Sequence, residues 1–217
     1  LAVFRHADGA VPSALEEFAL TGRTLAQLHQ AAADYAGPAS HYTLDGHHLA
    51  GRTRAYLDRH PDLDASLIES YHVLIDTLLR QLADVEPQLT RVLCHGDTHG
   101  YNNHVHQDAE GNLSSVFFDF DDAGPGFLVY DLCVLPWSHL CRLTLTEVDD
   151  SLRERWAHYF GGYRAGGGRV SEADLAALPL FIQLRHLWNM GEAVSRLHHW
   201  GTANASADWL RKQRSVF

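Results

Sequence analysis

Apolar residues recur at helical spacing along most of this chain and at strand spacing only briefly. Leu15, Phe18, Gly22, Leu25, Leu28 and Ala32 share one face, which predicts a helix over 12–35, with Pro12 in its first turn and Gly37-Pro38 ending it. Leu63, Leu67, Tyr71, Leu74, Leu78 and Leu82 predict a second long helix that opens at Pro61-Asp62 and closes at Pro87. Between them, 41–50 reads as a loop and 51–59 as a short helix. The pattern turns helical again near 130–139, 147–163, 171–199 and 204–214, and Ser171 with Asp174 approximates a capping box.

Strand signals cluster in the middle. Residues 91–94 form a short strand candidate, and 105–107 pairs with 113–118 across the turn at 108–112. Leu1 to Phe4 reads as the end of a strand, with a connector following. The expected class is α+β: a mainly helical body with a small β-hairpin element.

Composition narrows the functions. Seventeen basic against 27 acidic side chains give a net charge of −10, a poor match to a nucleic-acid or anionic-membrane binder. No apolar run is long enough to span a bilayer, and Leu1-Ala2-Val3-Phe4, followed at once by Arg5, His6 and Asp8, does not read as a signal peptide. The three cysteines, Cys94, Cys133 and Cys141, show no CxxC spacing and sit among apolar residues. They read as small buried hydrophobes in a reducing, cytoplasmic setting. Two sequons, at Asn112 and Asn204, carry no weight without a secretory signal.

The chemistry lies in two segments, His95-Gly96-Asp97-Thr98-His99-Gly100-Tyr101-Asn102 and Phe117-Phe118-Asp119-Phe120-Asp121-Asp122. A carboxylate on a loop after a strand can orient and deprotonate a substrate hydroxyl, which is the role read for Asp97. An amide oxygen at Asn102 and a carboxylate at Asp119 are hard donors suited to Mg²⁺ and nucleotide phosphates. Asp119, Asp121 and Asp122 repel one another unless a cation is near. His95 and His99 read as loop buttresses. Read as metal ligands instead, His95, Asp97 and His99 could face zinc or iron, and a metal-dependent hydrolase would use His95, Asp97, His99 and Asp119 around zinc or a metal pair. Asp131 is expected to hold backbone amides of the loop around Asp97, and Trp188, Trp200 and Trp209 to pack.

At these residues the chain resembles the aminoglycoside phosphotransferase and choline kinase superfamily of protein-kinase-like phosphotransferases. HGDTHGYN is similar to the HGDxHxxN catalytic loop, FFDFDDAG to the metal-binding strand end, YDL at 130–132 to the start of the next helix, and Leu25-Ala26-Gln27-Leu28-His29 to the LAxLH helix. Residues 119–126 and the arginine- and tryptophan-bearing helix at 184–200 look most like the stress response kinase A group, with homoserine and hydroxylysine kinases as near alternatives. The resemblance implies ATP as co-substrate with Mg²⁺. Asp97 then serves as catalytic base, and Asp119 touches metal and phosphate together. Asn102 and Asp119 become the metal ligands, and Asp121 joins them on the nucleotide side.

Departures from the pattern matter too. The superfamily's N-terminal lobe carries a strand lysine for the phosphates, whereas Lys212 is the single lysine here, far beyond both motifs. Residues 1–10 are therefore expected to be the end of that lobe's last strand and the hinge, and 11–217 the helical C-terminal lobe. Gly100-Tyr101 stands where the superfamily often has Pro-Gly. The expected acceptor is a hydroxyl of a small molecule, a cationic amine fitting an acidic cleft, or a protein Ser/Thr. A kinase-like module without catalysis is the alternative of a different class.

Overall fold

The computed structural model describes residues 6–140 and 148–217. The strand end expected at Leu1–Phe4, Cys141 and the expected helix start at Glu147 lie outside the described residues.

Helix α1 (Leu15–Ala32) keeps the apolar face from Leu15 but is three residues shorter at each end than the expected 12–35. The Glu17 carboxylate accepts from the Ser13 and Ala14 amides at 2.7 and 2.8 Å, so the chain caps itself after Pro12 rather than at it. A π-helical turn (His47–Gly51) runs into α2 (Arg52–Leu57). Helix α3 (Ala65–Val85) is capped by Asp64, whose side chain accepts from the Leu67 amide at 2.9 Å, three residues into the expected helix.

Strand β1 (Arg91–Cys94) precedes the first acidic motif; β2 (Asn103–Gln107) and β3 (Leu113–Phe117) form the expected hairpin between the two motifs. Strand β4 (Gly124–Phe127) was not foreseen in the sequence. It pairs antiparallel with β1, Arg91 opposite Phe127 and Cys94 opposite Gly124. Its Gly-Pro-Gly start reads locally as a turn, and only the long-range pairing makes it a strand. The motifs are thus carried by two two-stranded sheets rather than by one hairpin.

Helix α4 (Leu128–Leu140) follows directly, then α5 (Asp150–Ala165) and α6 (Glu172–Ala176), where the Ser171–Asp174 capping box forms as expected. The continuous helix expected over 171–199 is three: α6, α7 (Leu178–Ser195) and α8 (Leu197–Trp200). Pro179, at the start of α7, lacks the amide needed to continue α6. Helix α9 (Ala207–Arg214) starts at the Ser206 cap after a 3₁₀ turn, Thr202–Ala205.

The larger core gathers Leu49, Tyr71, Ile75, Phe127, Tyr130, Phe181, Leu184 and Leu187, with α7 against α4 and α2. The smaller one joins Phe18, Leu25, Leu128, Tyr159 and Tyr163 across the α1–α5 contact. That contact needs Gly22, because a Cβ there would lie 1.9 Å from the Tyr159 carbonyl oxygen. Cys94 and Cys133 are buried in the larger core; Trp188 is buried, whereas Trp200 is exposed. No described helix is long and apolar enough to cross a membrane.

Candidate active site

The residues 95–102 connect β1 to β2, and 118–123 connect β3 to β4, so the two sheets present both motifs side by side. Phe118 N donates to the Asn102 carbonyl at 3.1 Å, and His95 Nε2 lies 3.0 Å from the Phe118 carbonyl. Gly96 sits at φ +87°, where a Cβ would come 2.1 Å from the Asp122 carbonyl oxygen. A side chain at that position would push the two loops apart.

The first loop is fastened from below by the start of α4. Asp131 is fully buried, and its two carboxylate oxygens accept from the amides of His95 (2.7 Å) and Gly96 (2.8 Å). Thr98 Oγ1 donates to the Asp131 carbonyl at 2.8 Å. His29, from α1, places Nε2 2.9 Å from Asp131 Oδ2 and Nδ1 2.8 Å from the Tyr163 hydroxyl. Asp131 therefore does what the sequence led one to expect, and His29 gives the LAxLH pattern its structural reason.

Asp97 is partly exposed at the loop's crest. Asn102 is buried and donates Nδ2 to the Asp97 carbonyl at 3.0 Å and to Asp97 Oδ2 at 3.3 Å. With its nitrogen committed there, the Asn102 amide oxygen is the atom left to meet a cation. His95 is buried with Nδ1 3.3 Å from the Asp97 amide and Nε2 on Phe118, so both ring nitrogens brace the loop. His99 Nδ1 accepts from the Tyr101 amide at 3.1 Å, and its Nε2 lies 3.4 Å from Asp97 Oδ2. These commitments match the buttress reading of the two histidines.

In the second loop, Asp119 has φ 65°, the one positive φ outside glycine among the described residues. Backbone strain of this kind gathers at functional sites. Asp119 and Asp121 are exposed. Asp122 is half-buried, and Tyr42 pins the turn by donating to the Asp121 carbonyl at 2.5 Å and lying 3.1 Å from Asp122 Oδ1. Burial pushes the Asp122 carboxyl above its ordinary range; the Tyr42 hydroxyl and Arg185 oppose that, and the negative charges of Asp97 and Asp119 add to it. Asp97, Asp119 and Asp122, from the two loops, therefore lie within reach of one another's charge. By their chemistry, the Asn102 amide oxygen and the Asp119 carboxylate are hard donors of the kind that suits a partly hydrated divalent cation.

Sequence reading gave Arg185 no role. It lies on α7, is 1% exposed, and donates Nη1 to the Gly96 carbonyl and to the Tyr130 hydroxyl, each at 3.0 Å. Its Nη2 is paired with Asp97 Oδ1. Burial works against this charge, but the Tyr130 phenol and the Asp97 carboxylate more than offset it and hold its pKa above the usual arginine value. The available signal was a cation among Leu184, Leu187 and Trp188, because a charge on an apolar helix face must have a partner.

The sheet pair, the two acidic loops and the helical body define a kinase-like phosphotransferase fold. Residues 2–173 match the model of the APH phosphotransferase enzyme family, and the chain belongs to that family. It is similar to an uncharacterised protein of Deinococcus radiodurans, 34% identical over 206 residues that make up 93% of this chain and 56% of that protein. Among solved structures, an amicoumacin kinase in complex with AMP-PNP, Ca²⁺ and Ami superposes with a TM-score of 0.69 at 22% identity, covering 97% of this chain and 62% of that one. A choline/ethanolamine kinase family protein from Mesorhizobium loti gives 0.61 at 17% identity, covering 98% and 67%. An aminoglycoside phosphotransferase from Alicyclobacillus acidocaldarius gives 0.56 at 18%, covering 96% and 67%. These likenesses speak to the fold. The chain spans 56% of its relative in Deinococcus and 62% of the amicoumacin kinase.

Proposed function

We propose that residues 11–217 are the catalytic, C-terminal lobe of a kinase that transfers the γ-phosphoryl group of ATP to a hydroxyl, with residues 1–10 as the end of the other lobe's strand and the hinge. The observation that carries the reading is the joining of two loops, one bearing Asp97 and Asn102 and the other Asp119, through the Phe118–Asn102 and His95–Phe118 hydrogen bonds. Phosphoryl transfer asks little covalent chemistry of a protein; it needs positioning and charge neutralisation.

Asp97 orients the acceptor hydroxyl and takes its proton as the oxygen–phosphorus bond forms and the γ-phosphorus separates from the β,γ-bridging oxygen, releasing ADP. Asn102, through its amide oxygen, and Asp119 would hold Mg²⁺, which would supply neutralisation of phosphate charge there, with Asp121 on the nucleotide side of the same turn. Asp131, through the His95 and Gly96 amides, fixes the loop on which Asp97 stands. The acceptor is a hydroxyl-bearing small molecule, in line with the small-molecule kinases this fold is similar to, or a protein Ser/Thr; a cytoplasmic setting follows from ATP use. The engagement of both His95 ring nitrogens within the loop weighs against the metal-hydrolase alternative.

Calorimetric titration of ATP into the longest natural form of the protein tests the metal and nucleotide roles. Binding that requires Mg²⁺ and is lost in Asp119→Asn supports the reading. Equal ATP affinity with and without Mg²⁺, or no ATP binding, contradicts it.

A further inference from the structure

Arg185 is among the largest fully buried side chains of the described residues. Burying a guanidinium is expensive, and a buried ion pair seldom stabilises a fold more than apolar residues of the same volume would. Stability alone therefore leaves this residue unexplained, and its partners point elsewhere. Every hydrogen bond it makes goes to the catalytic loop or to the residue beside that loop's anchor: the Gly96 carbonyl, the Asp97 carboxylate and the Tyr130 hydroxyl. Its Nε has no hydrogen-bond partner among the described residues. The guanidinium carbon instead lies 4.3 Å from the Trp188 ring centroid, 4.7 Å from Trp137 and 5.8 Å from Tyr130. A planar fork enclosed by aromatic rings has one orientation, and it transmits that orientation to whatever it holds.

What it holds is Asp97 Oδ1. Asp97 Oδ2 is met by Asn102 Nδ2 at 3.3 Å and by His99 Nε2 at 3.4 Å. The carboxylate is thus fixed in rotation, with Oδ1 spent inward on Arg185 and Oδ2 on the side of the metal-ligating Asn102. We propose that Arg185 is a positioning residue for phosphoryl transfer, its caged guanidinium setting the Asp97 carboxylate so that Oδ2 meets the acceptor hydroxyl. The inference rests on the kinase reading.

A kinetic cycle tests it in the longest natural form of the protein, with wild type, Arg185→Lys, Asp97→Asn and the double variant, each checked for folding by near-UV circular dichroism. Lysine keeps the charge but loses the fork. Arg185→Lys is expected to leave the KM values for ATP and acceptor within about threefold and to lower kcat by about 100-fold, the scale of a slightly misplaced catalytic group. In the Asp97→Asn background the same change should lower kcat by less than about threefold, because Arg185 acts through Asp97. An unchanged kcat in Arg185→Lys, or an equal loss in both backgrounds, overturns the proposal. Absence of ATP turnover in wild type overturns the kinase reading instead, and the proposal falls with it. Should Arg185→Lys not fold, Trp137→Phe loosens the cage while leaving the ion pair. Its kcat loss, about tenfold, should likewise vanish in the Asp97→Asn background; a loss that persists there overturns the proposal.

Discussion

His29 and Asp131 are separated by 102 positions in the chain, yet His29 Nε2 lies 2.9 Å from Asp131 Oδ2 in the interior. The same carboxylate receives the amides of His95 and Gly96, so the end of α1 and the start of α4 jointly hold the loop that bears Asp97. Removing the anchor leaves two amides and an imidazole without their acceptor. Asp131→Ala should cost about 3–5 kcal/mol in urea denaturation.

Asp131 also sets an acid limit. Burial raises its carboxyl pKa, but the hydrogen bond and charge of His29, with His95 and the Gly96 amide, outweigh it and leave it below the ordinary 3.8. A depressed carboxyl stabilises the fold above its unfolded value and loses that contribution as pH falls through the folded one. Stability should drop below pH 3.8, and Asp131→Asn, already weakened at neutral pH, should show a shallower drop over that range.

His48 sets a limit at milder pH. It stacks on Tyr42 with ring centroids 4.4 Å apart, and its ring nitrogens face Trp188 Nε1 and Arg52 Nη1 at 3.1 and 2.8 Å. Burial, then the Arg52 charge, pulls its pKa from 6.5 down to about 4. The unfolded chain binds this proton first, so stability should decline as pH falls from 6.5 towards 4. A pH series of urea melts should show about 1–3 kcal/mol lost there, and His48→Gln should flatten the curve.

Gly96→Ala probes the contact between the loops. The new Cβ would meet the Asp122 carbonyl at a residue with φ +87°. The variant should lose about 2 kcal/mol or more of stability, and about 100-fold in turnover as Asp97 shifts.

Asp119→Gly separates strain from function. Glycine accepts φ 65° without cost and removes one charge from the acidic site. Stability should rise by about 0.5–1 kcal/mol while Mg²⁺-dependent nucleotide binding is lost. A destabilised variant that still binds nucleotide would contradict the assignment.

The helical body was legible because its apolar residues keep one face, as in α1 and α3, and caps such as Ser171–Asp174 announce themselves locally. Strand β4 was not, since Gly124-Pro125-Gly126 gains its strand character only from β1, more than two dozen residues upstream. The site divided along the same line. Asp97, Asn102 and Asp119, the proposed site residues, stand in short motifs visible within a few positions of sequence, and Asp131 lies in a recognisable helix start. Arg185 reaches Asp97 from α7, 88 positions away, and no local pattern ties the two together.

The central claim is that Asp97 serves phosphoryl transfer. ADP formation from ATP and Mg²⁺ should be measured in the longest natural form of the protein, with a panel of hydroxyl-bearing acceptors, beside its Asp97→Asn variant. The expected result is acceptor-dependent turnover that falls by about 10²–10⁴-fold in the variant while ATP binding persists. Turnover in Asp97→Asn within a few-fold of wild type, or none in the wild type with any acceptor, would contradict the account.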